Sequence, residues 1–234
     1  MSTSKFRSLM QSRSSQESDA TSVLIIGLGR FGSALAETLI ELGTEVLAID
    51  SDSRLVQEWA PRLTHVREAD ATSSTTLRQL GASEFDVAVV AIGSHLEASI
   101  LATAALIDVG VKTVWAKAVQ EDHGRILERI GAHHVVYPER DMGKRVAHAV
   151  SGRVVDYFQL DEGFALAEVK PPRSIIGKSL TEANIRAVHD VTIVCVKPLN
   201  SSFTYATPDT VIREGDLLVV AGGVAQTEDF AATD

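Results

Sequence analysis

The sequence Gly27-Leu28-Gly29-Arg30-Phe31-Gly32 follows directly on the apolar run Val23-Leu24-Ile25-Ile26 and leads into a stretch with Leu35, Leu39 and Leu42 at helical spacing. A buried strand, a glycine turn and an amphipathic helix in that order leave few folds open. Gly27 allows the sharp turn out of the strand, Gly29 leaves the backbone bare, and Gly32 lets the helix pack close to the sheet. Gly43 then closes the helix as a C-terminal cap.

The alternation continues. Apolar runs at Glu45–Ile49, His65–Val66, Val87–Ile92, Thr113–Ala116 and His134–Tyr137 read as strands. Helices are predicted over Leu55–Trp59, Thr75–Leu80, Leu96–Val109 and His123–Ile130. Continuous apolar strands alternating with helices predict a parallel sheet covered on both faces, doubly wound with right-handed crossovers. The texture changes near Pro138. A helix is expected over Asp141–Val150, and strands over Val154–Leu160, Phe164–Val169, Val191–Lys197 and Leu217–Val220, with one helix over Leu180–Ala187. Pro171-Pro172, Pro198-Leu199-Asn200 and Glu214-Gly215-Asp216 punctuate these as turns. The fold class is therefore α/β: a Rossmann-type doubly wound domain over 21–140, a connecting helix over 141–152, and a small α+β domain over 153–234. The Ser/Gln-rich residues 1–20 read as a disordered tail without a secretory signal.

In such a turn the open N–H groups of the helix N-terminus face a pyrophosphate. Asp50 ends the second strand 18 residues after Gly32, where a carboxylate accepts from ribose hydroxyls and repels a 2′-phosphate. Its competing reading is a cap on the next helix. Arg30 beside the phosphates could count them by reaching a terminal one, or stand as a solvated surface arginine. Asp70, in Ala69-Asp70-Ala71-Thr72, is an adenine contact or a helix cap. Ile92, Gly93 and Ser94 end the fourth strand at the edge where ligands enter open parallel sheets, and Ser94 could equally be an N-cap. The candidate cofactor contacts are thus Gly27, Gly29, Arg30, Phe31, Gly32, Asp50, Asp70, Ala71, Ile92, Gly93 and Ser94.

The net charge of −9, from 22 basic and 31 acidic residues, argues against nucleic acid as a partner. No apolar stretch approaches the roughly 18 residues of a membrane span. Cys195, inside Val191–Val196 and unable to form an internal disulfide, reads as a small buried core residue in a reducing compartment. Chemistry is poorly supplied. The one histidine of 153–234 is His189 before a strand, and His133 and His134 point apart as sequence neighbours. No G-x-S-x-G, H-E-x-x-H or C-x-x-C occurs. A binding fold without catalysis is expected, the competing class being an NAD-dependent oxidoreductase or NAD-responsive sensor.

The stretches 23–32, Glu45–Asp50, Val89–Gly93 and Leu127–Ala132 resemble the RCK family (regulator of K⁺ conductance), in particular the regulatory subunits of Ktr/Trk potassium-uptake systems. Tyr137-Pro138-Glu139-Arg140-Asp141-Met142-Gly143 is the most specific of these matches, and Ile176–Leu180 and Ile212–Gly222 resemble the family's C-terminal module. The resemblance implies dimers assembling into an octameric ring on the cytoplasmic face of a membrane potassium-channel subunit. It implies ATP favouring the conducting state and ADP the closed one, with Arg30 sensing the terminal phosphate. Glu139 would then lie near a neighbouring subunit's nucleotide and help hold a bridging cation; its alternative is an ion pair with Arg140 or Lys144. The same resemblance places Ile175, Ile176, Asn184 and Arg186 where the family can bind a cyclic dinucleotide, or where an ordinary apolar dimer seam would run.

Overall fold

The computed structural model describes residues 21–151, 154–161 and 163–233; the expected tail at 1–20 lies outside them. The chain divides between Pro138 and Glu139 into two compact units.

The first unit carries a six-stranded sheet of order β3-β2-β1-β4-β5-β6, parallel throughout. The strands are β1 (Ser22–Ile26), β2 (Glu45–Asp50), β3 (His65–Glu68), β4 (Val87–Val90), β5 (Thr113–Lys117) and β6 (His134–Val136). Between them run α1 (Arg30–Glu41), α2 (Ser53–Trp59), α3 (Ser74–Gln79), α4 (Leu96–Val109) and α5 (Glu121–Arg129). Side chains alternate across a strand, so each central strand feeds two cores. Leu24, Ile26, Leu47, Ile49, Ala88 and Val90 pack with α3, α4 and α5 on one face. Val23, Ile25, Val46, Ala48, Val89 and Ala91 pack with α1 and α2 on the other. This is why those strands read as unbroken apolar runs.

The second unit begins within α6 (Pro138–Val150), which reaches back to Pro138 rather than starting at Asp141. Proline lacks the N–H that the first helical position leaves unbonded anyway. Its sheet is antiparallel, of order β10-β9-β11-β8-β7: β7 (Asp156–Gln159), β8 (Phe164–Val169), β9 (Val191–Lys197), β10 (Thr204–Tyr205) and β11 (Leu217–Gly223). Along β8 the buried residues are Ala165, Ala167 and Val169, alternating with more exposed ones, as one covered face demands.

Three expectations need correction here. The predicted helix Leu180–Ala187 is two, α7 (Leu180–Ala183) and α8 (Ile185–His189), broken at Asn184, whose φ of 45° lies in the left-handed region that asparagine tolerates. Cys195 is half-buried and outside the apolar cluster. The ladder between β9 and β11 pairs Val219 with Cys195 but Val220 with Ile193, leaving Val194 as an extra residue. That bulge shifts the alternation by one, so Val196 rather than Cys195 returns to the core. Helix α9 (Val224–Ala232) was not anticipated, yet its fully buried Phe230 joins the second unit's core.

Candidate functional site

Because all six strands of the first unit run the same way, their carboxyl ends and the loops leaving them share one edge. There, beside the point where the strand order reverses between β1 and β4, lies a pocket of about 280 Å³. Its walls include Gly27 and Gly29 from the glycine turn, Asp50 from β2, Asp70 and Ala71 after β3, and Ile92, Gly93 and Ser94 after β4.

The three glycines of the turn differ in what requires them. Gly27 has a φ of 100°, a conformation side chains resist. A Cβ on Gly32 would fall 1.9 Å from the Gly27 carbonyl oxygen, so its absence is an internal packing need. Gly29 is neither strained nor crowded: its φ is −66° and nothing lies within 4 Å of where its Cβ would be. It is the N-cap of α1, offers no side-chain cap, and faces the pocket. The first turn of α1 holds no acidic residue, and the first amide of the turn bonded within the helix is that of Ser33, to the Gly29 carbonyl. The helix N-terminus is open.

Asp50 ties the turn to β2. Its carboxylate accepts from the Leu28 amide at 2.7 Å and from the Asp52 amide at 2.8 Å, leaving further lone pairs directed elsewhere. It does not cap α2, a role taken by Asp52, which accepts from Arg54. Asp70 likewise caps nothing. Ser73 caps α3, while Thr72 donates its hydroxyl and its amide to one Asp70 oxygen, at 2.7 and 2.9 Å. Those bonds hold the Asp70 carboxyl below the usual carboxylate range. His95, not Ser94, is the N-cap of α4. The capping alternatives for Asp50, Asp70 and Ser94 thus all fall to neighbouring residues.

Arg30, Phe31 and Gly32 follow the turn but are not on the pocket wall. Arg30 opens α1, exposed, and its guanidinium makes no hydrogen bond or ion pair among the described residues. Phe31 packs half-buried against the core that α1 covers. Glu139 sits in the first turn of α6, in the other unit. Among the described residues no group of three or more His, Cys, Asp or Glu side chains could hold a metal ion. A cation at Glu139 therefore has no all-protein cage within the described residues. His133 accepts from the Val114 amide and His134 stacks on Trp115, so the two do point apart.

Sequence reasoning passed over Asp52, Thr72 and His95, which also line the pocket. Each lies within two residues of a candidate contact, and the shared edge of a parallel sheet was the available signal. It also missed Lys117, only 7% exposed at the end of β5, whose Nζ lies 5.7 Å from the Phe31 ring centroid and against Gly93.

The fold is a Rossmann-type doubly wound domain with a pocket at its strand-end edge, joined to a small antiparallel module. The TrkA-N domain family model matches residues 23–138 and the TrkA-C domain model residues 164–233. The chain is 40% identical over 207 residues to the Ktr system potassium uptake protein C of Bacillus subtilis, covering 88% of this chain and 94% of that protein. It is 36% identical to the Ktr system potassium uptake protein A of Vibrio alginolyticus, covering 85% and 90%. The chain belongs to the TrkA-N/TrkA-C family of RCK-domain potassium-uptake proteins. Among solved structures it resembles the RCK domain of GsuK, with a TM-score of 0.50 and 24% identity over 96% of this chain and 49% of that one. It also resembles the GsuK channel bound to NAD, with a TM-score of 0.50 and 25% identity over 93% and 39%. Among the described residues no helix is long and apolar enough to cross a membrane.

Proposed function

We propose that this chain is a cytoplasmic regulatory subunit that binds ATP and ADP in the pocket behind the glycine turn and thereby controls a membrane potassium-uptake partner of the Ktr/Trk type. The observation that carries the reading is Gly29. Nothing among the described residues crowds it, and its φ is unstrained. Its bare backbone at an open helix N-terminus faces a cavity, which suits a pyrophosphate pressed against the main chain. In this reading Asp50, already fixed by two amides, would accept from the ribose, and Asp70 would accept from the adenine amino group through the oxygen that Thr72 does not engage. The potassium partner is supported by the Ktr names of the relatives.

Control would work by population shift in a homo-oligomer, for which the family resemblance suggests dimers in an octameric ring. A ligand moves such an equilibrium only by its differential affinity for the two arrangements. ATP and ADP differ by one phosphate, and the unengaged guanidinium of Arg30 is the group suited to detect it. Glu139, with a cation held jointly with phosphates, is the second candidate, since a carboxylate next to phosphate needs a bridging cation. The reading as a switch rather than an enzyme is supported by the Ktr potassium-uptake names of the relatives.

The second reading, an NAD(H)-responsive protein or NAD-dependent oxidoreductase, is favoured by one observation: the related GsuK channel has been solved with NAD bound. Calorimetric titration with ATP, ADP, NAD and NADH separates the two. Discrimination between ATP and ADP that disappears in Arg30→Ala is the expected result. A strong NADH preference accompanied by measurable hydride transfer would overturn it.

A further inference from the structure

The pocket is unequal in charge from side to side. Along the ends of β2 and β3 stand Asp50, Asp52 and Asp70; along β1 and β4 stand Gly27, Gly29, Gly93, Ser94 and His95. Among the lining residues His95 is the one side chain able to carry positive charge. The β4 loop that bears it starts beside the glycine turn, because a Cβ on Gly27 would lie 3.4 Å from backbone atoms of Ala91 and Ile92. The loop that carries His95 thus lies beside the glycine turn and the open N-terminus of α1, while Asp52 and Asp70 come from the loops after β2 and β3.

Nothing internal accounts for a histidine there. His95 is exposed and stands as the N-cap of α4 with no capping bond from its side chain. Its side chain makes no hydrogen bond, ion pair or ring contact among the described residues. Ser, Thr, Asp and Asn cap helices better. The charged groups around it are the three aspartates of the pocket wall, Glu97 in the first turn of its own helix, and Lys117 behind Gly93.

We infer that His95 is a phosphate contact of this pocket, binding the ligand's phosphate more tightly as imidazolium than as neutral imidazole, so that nucleotide affinity in this chain responds to pH. The inference rests on the nucleotide reading of the pocket. A phosphate beside the ring favours its protonated form over the neutral one. Linkage is reciprocal, so a phosphate that draws a proton onto His95 is itself bound more tightly where that proton is present. Affinity therefore rises as pH falls through the range where histidines titrate, about pH 5 to 8.

The test is calorimetric titration of the full chain, and of His95→Gln and His95→Asn, with ADP and with adenosine at about pH 6 and about pH 8, bracketing histidine titration. For wild type we expect ADP to bind about fivefold more tightly, relative to the variants, at the lower pH than at the higher, the difference between a charge-assisted and a neutral hydrogen bond. The terminal phosphate of ADP itself titrates near pH ~6. That contribution is common to all three proteins and cancels in the ratio. Adenosine affinity should be the same in all three at both pH values. Equal pH slopes for ADP in wild type and both variants would overturn the inference, as would an equal loss of adenosine and ADP. Absence of ADP binding by wild type at either pH would overturn the nucleotide reading itself. Asparagine is a favoured N-cap, so H95N also guards against mere loss of the helix end, checked by thermal unfolding.

Discussion

The two sheets of this molecule differ in how they spend their strand ends. In the first unit every strand points the same way, and the loops after β1, β2, β3 and β4 converge on one pocket. In the second, neighbouring strands are antiparallel, so successive ends leave from opposite edges. The first sheet is also buried on both faces, whereas the second presents one face to its core. A parallel sheet therefore concentrates polar loop residues at a single edge, and an antiparallel sheet spreads them. That contrast fits a division of labour in which the first unit holds the ligand.

The contrast can be broken at its glycines. The largest effect is expected from Gly32→Ala, whose Cβ would meet a backbone carbonyl at 1.9 Å. Backbone cannot swing aside as a side chain can, so the variant should lose on the order of 3 kcal/mol or more, read as a lowered urea midpoint. In the second unit Gly222→Ala is the matching probe. Its Cβ would come 2.8 Å from the Val191 Cγ1, a stiff β-branched neighbour, and a loss of about 1–2 kcal/mol is expected in the same assay. A Gly222 variant as damaging as the Gly32 one would erase the distinction between backbone and side-chain crowding.

Gly29→Ala sharpens the comparison differently. With open space before it, this variant should cost no more than about 1 kcal/mol as a poorer N-cap. ADP affinity measured by calorimetry should fall about tenfold or more, equivalent to about 1.4 kcal/mol. Unchanged affinity would remove the main support for a phosphate at the turn.

The smallest effect belongs to the second unit's ion pair. Arg145 donates to Asp156, and this bond holds the Asp156 carboxyl below its ordinary value. A depressed folded value means that the pair contributes fully above the carboxylate's unfolded pKa of about 3.9 and loses that contribution as pH falls through the lower folded value. Both side chains are partly exposed, so the effect is modest. Acid titration of the urea midpoint should be slightly flatter below about pH 4 in Asp156→Asn than in wild type.

The Gly-x-Gly-x-x-Gly turn, the alternating apolar runs and Asp50 were legible because each rests on local rules: strand period, helix period and the steric demand of a sharp turn. They were enough for the parallel sheet, the edge that bears the pocket, and part of its wall. Other features depend on partners distant in sequence. Whether Asp50, Asp70 and Ser94 cap helices was settled by where each helix began, with Asp52, Ser73 and His95 taking the N-cap positions instead. The phase slip that turns Cys195 from the core exists only in its pairing with β11, more than twenty residues on. The different needs for Gly29 and Gly32 depend on what stands in front of each, which only the packed chain reveals. Local propensity writes the elements, while crowding, register and the meeting of loops at a sheet edge arise when distant segments pack.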